Sequence, residues 1–99
     1  MLNIEKKSEG KNLSFILSGR LDTTTAPDLE KEVKGNIEGV EKLEFDFTDL
    51  LYISSAGLRV LLSAQKTMNK QGEMIVKNCS DEILDIFEVT GFSDILTIE

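Results

Sequence analysis

The sequence predicts a single α/β domain on an open mixed sheet, with an N-terminal hairpin followed by alternating strands and helices. Three observations carry this prediction. Short stretches with two-residue apolar alternation are interleaved with segments whose apolar residues recur at helical spacing. The first two such stretches are joined by too few residues for a crossover, so they pair as an antiparallel hairpin. A chain of 99 residues holds one core, so residues 1–99 are read as one domain.

The elements follow in order. Leu2, Ile4 and Lys6 alternate, so Leu2–Lys7 reads as a strand, and the cluster Glu9, Gly10, Lys11 and Asn12 turns the chain into a second strand at Leu13–Ser18. Gly19 breaks it. Thr24–Asp28 (TTAPD) has the marks of a helix start: Thr25 as cap, Pro27 in the first turn and Asp28 at capping-box spacing. Leu29, Val33 and Ile37 give that helix one buried stripe, and Gly35 and Gly39 bracket its end. Lys42–Phe47 alternates strictly, with Leu43, Phe45 and Phe47 on one face. The best helical pattern runs from Ala56 to Lys70, with Leu58, Leu61, Leu62, Ala64, Gln65 and Met68 inward and Gly72 closing it. Glu73–Lys77 is a short strand. Ser80 caps a third helix with Asp81 and Glu82 in its first turn, an inner face of Ile83, Leu84, Ile86 and Phe87, and a stop at Gly91. Ile95–Ile98 reads as a final edge strand.

Composition narrows the function classes. The net charge of −7, from 18 acids and 11 bases, repels phosphate backbones, so no direct nucleic-acid partner is expected. There is no histidine, which removes the commonest general base and imidazole ligand. Hydrolysis by Ser55 therefore lacks a base, no G-x-S-x-G elbow surrounds it, and Lys66 and Lys70 fall turns away. A receiver-like role for Asp46 lacks the acidic pair such sites need, because the first two strands end in Lys7 and Ser18. The acids are scattered and no Gly-rich phosphate loop is present, so neither a metal nor a cofactor is expected. A lone cysteine, Cys79, fits a reducing compartment, and no apolar run approaches a signal peptide or membrane span. The expectation is a non-catalytic, soluble cytoplasmic protein.

The informative segments are Gly19–Thr25 (GRLDTTT) and Thr48–Gly57 (TDLLYISSAG), which leave the carboxyl ends of two strands and share a rim if those strands are neighbours. Leu50, Leu51, Tyr52 and Ile53 are expected to pack down onto the sheet. Ser55 falls at or just before a helix start. There it can serve as an N-cap, and it can equally carry a phosphate that free amides tolerate without damage to the fold.

Asp46-Phe47-Thr48-Asp49-Leu50-Leu51-Tyr52-Ile53-Ser54-Ser55-Ala56-Gly57-Leu58, with Gly19-Arg20-Leu21-Asp22 before it, resembles the signature of the STAS domain family, whose best-known members are bacterial anti-sigma-factor antagonists. The resemblance spans nearly the whole chain. It implies partner switching: the unphosphorylated protein binds an anti-sigma factor that is also a serine kinase, which frees a sigma factor. Phosphorylation of Ser55 releases the complex, and a metal-dependent PP2C-like phosphatase restores it. The resemblance places Asp22 on the docking face, and the expected docking surface comprises Asp22, Thr23, Thr24, Ser54, Ser55, Ala56, Gly57, Leu58 and Arg59, with Asp22 pairing a basic residue and Leu58 or a neighbour supplying apolar contact. The chain has Ser54 where the family often has Asp, and Ala56 where it often has Ser or Thr, so Ser54 offers a second hydroxyl. The alternative is a STAS scaffold in a sensory complex or a lipid- or anion-transport system.

Overall fold

The computed structural model describes residues 1–99 and contains β1 (Leu2–Glu9), β2 (Asn12–Leu21), α1 (Ala26–Asn36), β3 (Lys42–Ile53), α2 (Ser55–Met68), β4 (Glu73–Lys77), α3 (Asp81–Thr90), a 3₁₀ turn (Phe92–Asp94) and β5 (Thr97–Ile98). The strands form one five-stranded sheet in sequential order, β1-β2-β3-β4-β5. β1 and β2 are antiparallel, with Glu9 opposite Asn12, and Gly10 takes a φ of 59° in the turn between them. Every later pair is parallel. Sequential parallel strands joined by right-handed crossovers place all the helices on one side. The single core cluster agrees, because it joins Leu13, Phe15, Leu17, Leu43, Phe45, Phe47, Met74 and Val76 of the sheet to Leu29, Val33, Leu58, Leu61 and Phe87 of the helices. Phe15 stacks on Phe45 with centroids 5.7 Å apart, and Phe47 bridges Phe45 to Phe87.

The opposite face is polar and held by charge. Lys77 reaches Glu44 at 3.1 Å and Lys42 reaches it at 3.4 Å. Glu44 opposes Ile75 across the ladder, so this network surrounds the one large apolar residue that β4 turns away from the core.

The structure departs from the expected elements in several places. β3 continues to Ile53 where a loop from Thr48 is expected, because β2 also runs on to Leu21 and the parallel ladder keeps a partner. α2 ends at Met68, not Lys70, and Gly72 instead passes so close to the Glu41 carbonyl that no Cβ would fit. Leu84 is largely exposed, since α3 buries Ile83 and Phe87, and Leu62 is only half-buried. Thr25 precedes α1 but makes no side-chain cap, because its hydroxyl is engaged upstream. The last strand is only Thr97–Ile98, as Phe92–Asp94 takes a 3₁₀ turn and Leu96 drops into the core. Burial pushes the Cys79 thiol up to about 11, which keeps it protonated and inert.

Leu61 is fully buried between helix and sheet. Leu61→Ala should lower stability by about 2–5 kcal/mol in denaturant unfolding. A loss within the ~0.5 kcal/mol usual for surface positions would contradict this packing.

Candidate functional site

Two structural facts bring the GRLD segment and the SSAG segment together. Leu21 pairs with Ile53 at the carboxyl ends of β2 and β3, and the Ser54 amide donates to the Leu21 carbonyl at 2.9 Å. Gly57 then lies against both side chains. A Cβ there would meet Leu21 at 2.7 Å and Ile53 at 2.9 Å, so only glycine lets the first turn of α2 sit this low. The β2–α1 turn and the start of α2 therefore share one rim, with an open depression between α1 and α2 lined by Thr23, Ala26, Pro27, Glu30, Ala56, Arg59 and Val60.

Asp22 builds the first half of the rim. Its Oδ1 accepts from the Thr24 hydroxyl at 2.8 Å, the Thr24 amide at 3.0 Å and the Thr25 amide at 3.2 Å. The Thr25 hydroxyl accepts from the Asp22 amide and donates to the Arg20 carbonyl, both at 2.8 Å. The Thr24 hydroxyl bond outweighs the opposing effect of desolvation and, with the two amides, holds the Asp22 carboxyl below its usual value. Asp22, expected on the docking surface, thus also builds the turn. Its Oδ1 is committed to the turn, and its Oδ2 lies 3.9 Å from the Arg20 Nε.

The second half is the α2 start. Ser54, not Ser55, is the N-cap: its backbone is extended and its hydroxyl accepts from the Gly57 amide at 3.4 Å. Ser55 is the first residue of the helix and is exposed. Thr23, Thr24 and Arg59 are exposed as well, and Ala56 is half-buried. Leu58 and Gly57 are buried, so of the apolar contact expected from Leu58 or a neighbour the Leu58 side chain itself belongs to the core. Asp46 anchors the strand below, accepting from the Thr48 hydroxyl at 2.6 Å, the Thr48 amide at 2.9 Å and Asn78 at 3.1 Å. Partial burial raises its pKa, but these donors prevail and leave it lowered. It is a structural acid.

The exposed apolar residues near this rim are ones that sequence reasoning sent inward. Relative to β2, β3 carries an extra residue between Asp46 and Asp49 and another at Leu51. The two irregularities reset the alternation, so Leu50 and Ile53 are buried while Leu51 is 69 % exposed and Tyr52 37 %. Arg20, the strand neighbour of Tyr52, places its guanidinium 4.3 Å from the ring centroid. Arg20, Leu51 and Tyr52 were thus missed. The signal for them is the run Leu50–Ile53, since four consecutive apolar residues cannot all point to one side of a strand.

Comparison with known proteins follows the same lines. The STAS domain model matches residues 3–99. The anti-sigma-B factor antagonist of Listeria monocytogenes is 33 % identical over 97 residues, covering 95 % of this chain and 84 % of that protein. The crystal structure of an anti-sigma factor antagonist from Mycobacterium paratuberculosis superposes with a TM-score of 0.89 at 18 % identity, over 99 % of this chain and 85 % of that one. The anti-sigma factor antagonist SpoIIAA superposes in its unphosphorylated form with a TM-score of 0.79 at 17 % identity, over 98 % of this chain and 87 % of that one. The Bacillus SpoIIAA in its phosphorylated form gives 0.77 at 17 % identity, over 98 % and 91 %.

Two predictions follow from the geometry. Asp22→Ala should lower the melting temperature at pH 7. Because the folded pKa is depressed, the stabilisation is present above the ordinary carboxyl range near ~3.9 and is lost as pH falls through the folded value. The gap between wild type and variant should therefore close on acidification, and a gap independent of pH would refute the carboxylate's role. Ser54→Ala should cost about 0.5–2 kcal/mol as a lost cap, whereas Ser55→Ala should stay within about 0.5 kcal/mol of wild type. Chemical denaturation of the pair checks the assignment, and the reverse ranking would return the cap to Ser55.

Proposed function

The chain belongs to the STAS domain family, and from that premise we propose that it is an anti-sigma-factor antagonist working in the cytoplasm by partner switching, with Ser55 as its phosphoacceptor. In its unmodified form it binds an anti-sigma factor that is also a serine kinase, which frees a sigma factor. It performs no catalysis of its own.

The observation that carries the reading is the division of labour between adjacent serines. Ser54 accepts the Gly57 amide and caps α2, while Ser55 stands exposed beside it with its hydroxyl free of that duty. A kinase can therefore modify Ser55 without removing a cap. In the transfer, the Ser55 Oγ forms a bond to the γ-phosphorus of kinase-bound ATP, the bond from that phosphorus to the ADP oxygen breaks, and the serine proton passes to a kinase base. A PP2C-like phosphatase reverses the state by hydrolysis to free serine and inorganic phosphate.

The docking surface we assign combines Thr23, Thr24, Ser55 and Arg59 with the newly found Arg20, Leu51 and Tyr52. A tyrosine held under a guanidinium has the composition of an interface anchor, and the exposed leucine beside it adds apolar area. A phosphate at Ser55 adds about −1.5 to −2 charges and their hydration to a surface that the partner must desolvate. Affinity falls while the fold stays as it is.

Incubation with ATP and the kinase encoded nearest this gene, followed by mass spectrometry, tests the assignment. Label should appear on Ser55. Ser55→Ala should bind that kinase and resist labelling, and Ser55→Glu should bind more weakly with an unchanged circular dichroism spectrum. Label on Ser54 would move the acceptor by one residue, and no label from an active cognate kinase would defeat the switch.

A further inference from the structure

Helix α2 stands apart in charge. The chain has a net charge of −7, yet from Ser55 to Met68 there is no Asp or Glu, and Arg59 and Lys66 are the helix's only charged residues. Arg59 is exposed. It enters none of the chain's salt bridges, which use Lys11, Arg20, Lys34, Lys42 and Lys77. The other arginine, Arg20, is already engaged by Tyr52 and Asp22. The acid that faces it from α1 is Glu30, which lines the same depression and is paired with Lys34 at 3.4 Å. An exposed guanidinium outside every salt bridge is thus set next to the residue assigned above as the phosphoacceptor.

The spacing is that of a helical ion pair. Ser55 and Arg59 are four residues apart, so they share the outer face of α2 with Cβ atoms about 6 Å apart. Side chains on a helix lean toward its N-terminus, which directs the Arg59 guanidinium back over the first turn. An anion N-terminal to a cation at this spacing is the more favourable order. A guanidinium also presents paired donors that match two phosphate oxygens.

We infer that Arg59 is the internal partner of the Ser55 phosphate: modification closes a Ser55–Arg59 ion pair on the outer face of α2 and withdraws that cation from the docking surface. The inference rests on the reading of Ser55 as acceptor and adds a second half to the switch. In the unmodified protein Arg59 is free to meet an acidic group of the partner. In the modified protein it is occupied from within, so the partner loses a cation and meets a phosphate at the same time. Lys66 cannot replace it, because eleven residues of helix place it about 16 Å along the axis from Ser55.

The test installs phosphoserine at position 55 of the full chain by genetic encoding and follows its second ionisation by ³¹P NMR. An ordinary phosphoserine titrates near ~6. A neighbouring guanidinium favours the dianion, so Arg59→Gln should raise the value by roughly half a pH unit, and added salt should shrink the difference. Arg59→Lys should restore part of the shift, and Lys66→Gln should leave it unchanged. Equal values in wild type and Arg59→Gln, or a shift produced by Lys66→Gln instead, would overturn the pair. Because no kinase is used, failure of enzymatic labelling would count against the proposed function and leave the ion pair standing.

Discussion

The site depends on one close approach, that of Gly57 to Leu21 and Ile53. The two side chains lie opposite each other at the ends of β2 and β3, and the α2 backbone rests on them at a distance that excludes any Cβ. This approach buries Leu58 and Leu61 in the core and sets the height of the first turn of α2 above the sheet. It also places the Asp22 turn beside Ser54, since Leu21 is at once the last residue of β2 and the acceptor of the Ser54 amide. A larger residue at Gly57 would lift the helix start and separate the two halves of the rim. Neither loop is held only by its own contacts.

Most of the fold was legible because its signals are periodic. Leu13, Phe15 and Leu17, then Leu43, Phe45 and Phe47, alternate strictly, the first two of each set on the regular part of the β2–β3 ladder, and these residues are buried as expected. The helix stripes of Leu29 and Val33, and of Leu58, Leu61, Ala64 and Met68, obey the other period. Legibility fails where the period breaks. One extra residue before Asp49 and another at Leu51 return the strand to register, a reversal that no rule based on alternation can see. The same break explains why an apolar run expected on the sheet turns Leu51 and Tyr52 outward. The adjacent serines pose a different difficulty. Either can cap α2, and only the coordinates assign the Gly57 amide to Ser54.

The polar residues of the rim divide into those that hold it and those it presents. Asp22, Thr25, Ser54 and Asp46 satisfy backbone groups at the ends of elements, and their hydrogen bonds are local. Depressed carboxyl pKa values at Asp22 and Asp46 are the electrostatic trace of that work. Thr23, Ser55, Arg59, Leu51 and Tyr52 are exposed and make none of those hydrogen bonds. A motif mixes the two classes because a docking surface needs both a rigid turn and free groups on it. Residue type alone does not separate them: Asp22 looks like a docking acid and is largely a turn-former, while Leu51 looks like core and is surface.

That separation bears on how a phosphate can act as a switch without a conformational change. Proteins respond to a new charge in one of two ways: a segment reorders, or the surface changes in place. Reordering requires that the modified residue hold something in one state and release it in the other. Ser55 holds no cap, Ser54 accepts the Gly57 amide, and Gly57 is seated by apolar packing that a surface charge does not reach. α2 carries no acid that would repel the added charge. The frame therefore offers nothing that a phosphate at Ser55 would release, and the effect of such a modification would fall on the groups that face outward. A switch of this kind would act on the charge and hydration that a partner meets, so its readout would be affinity.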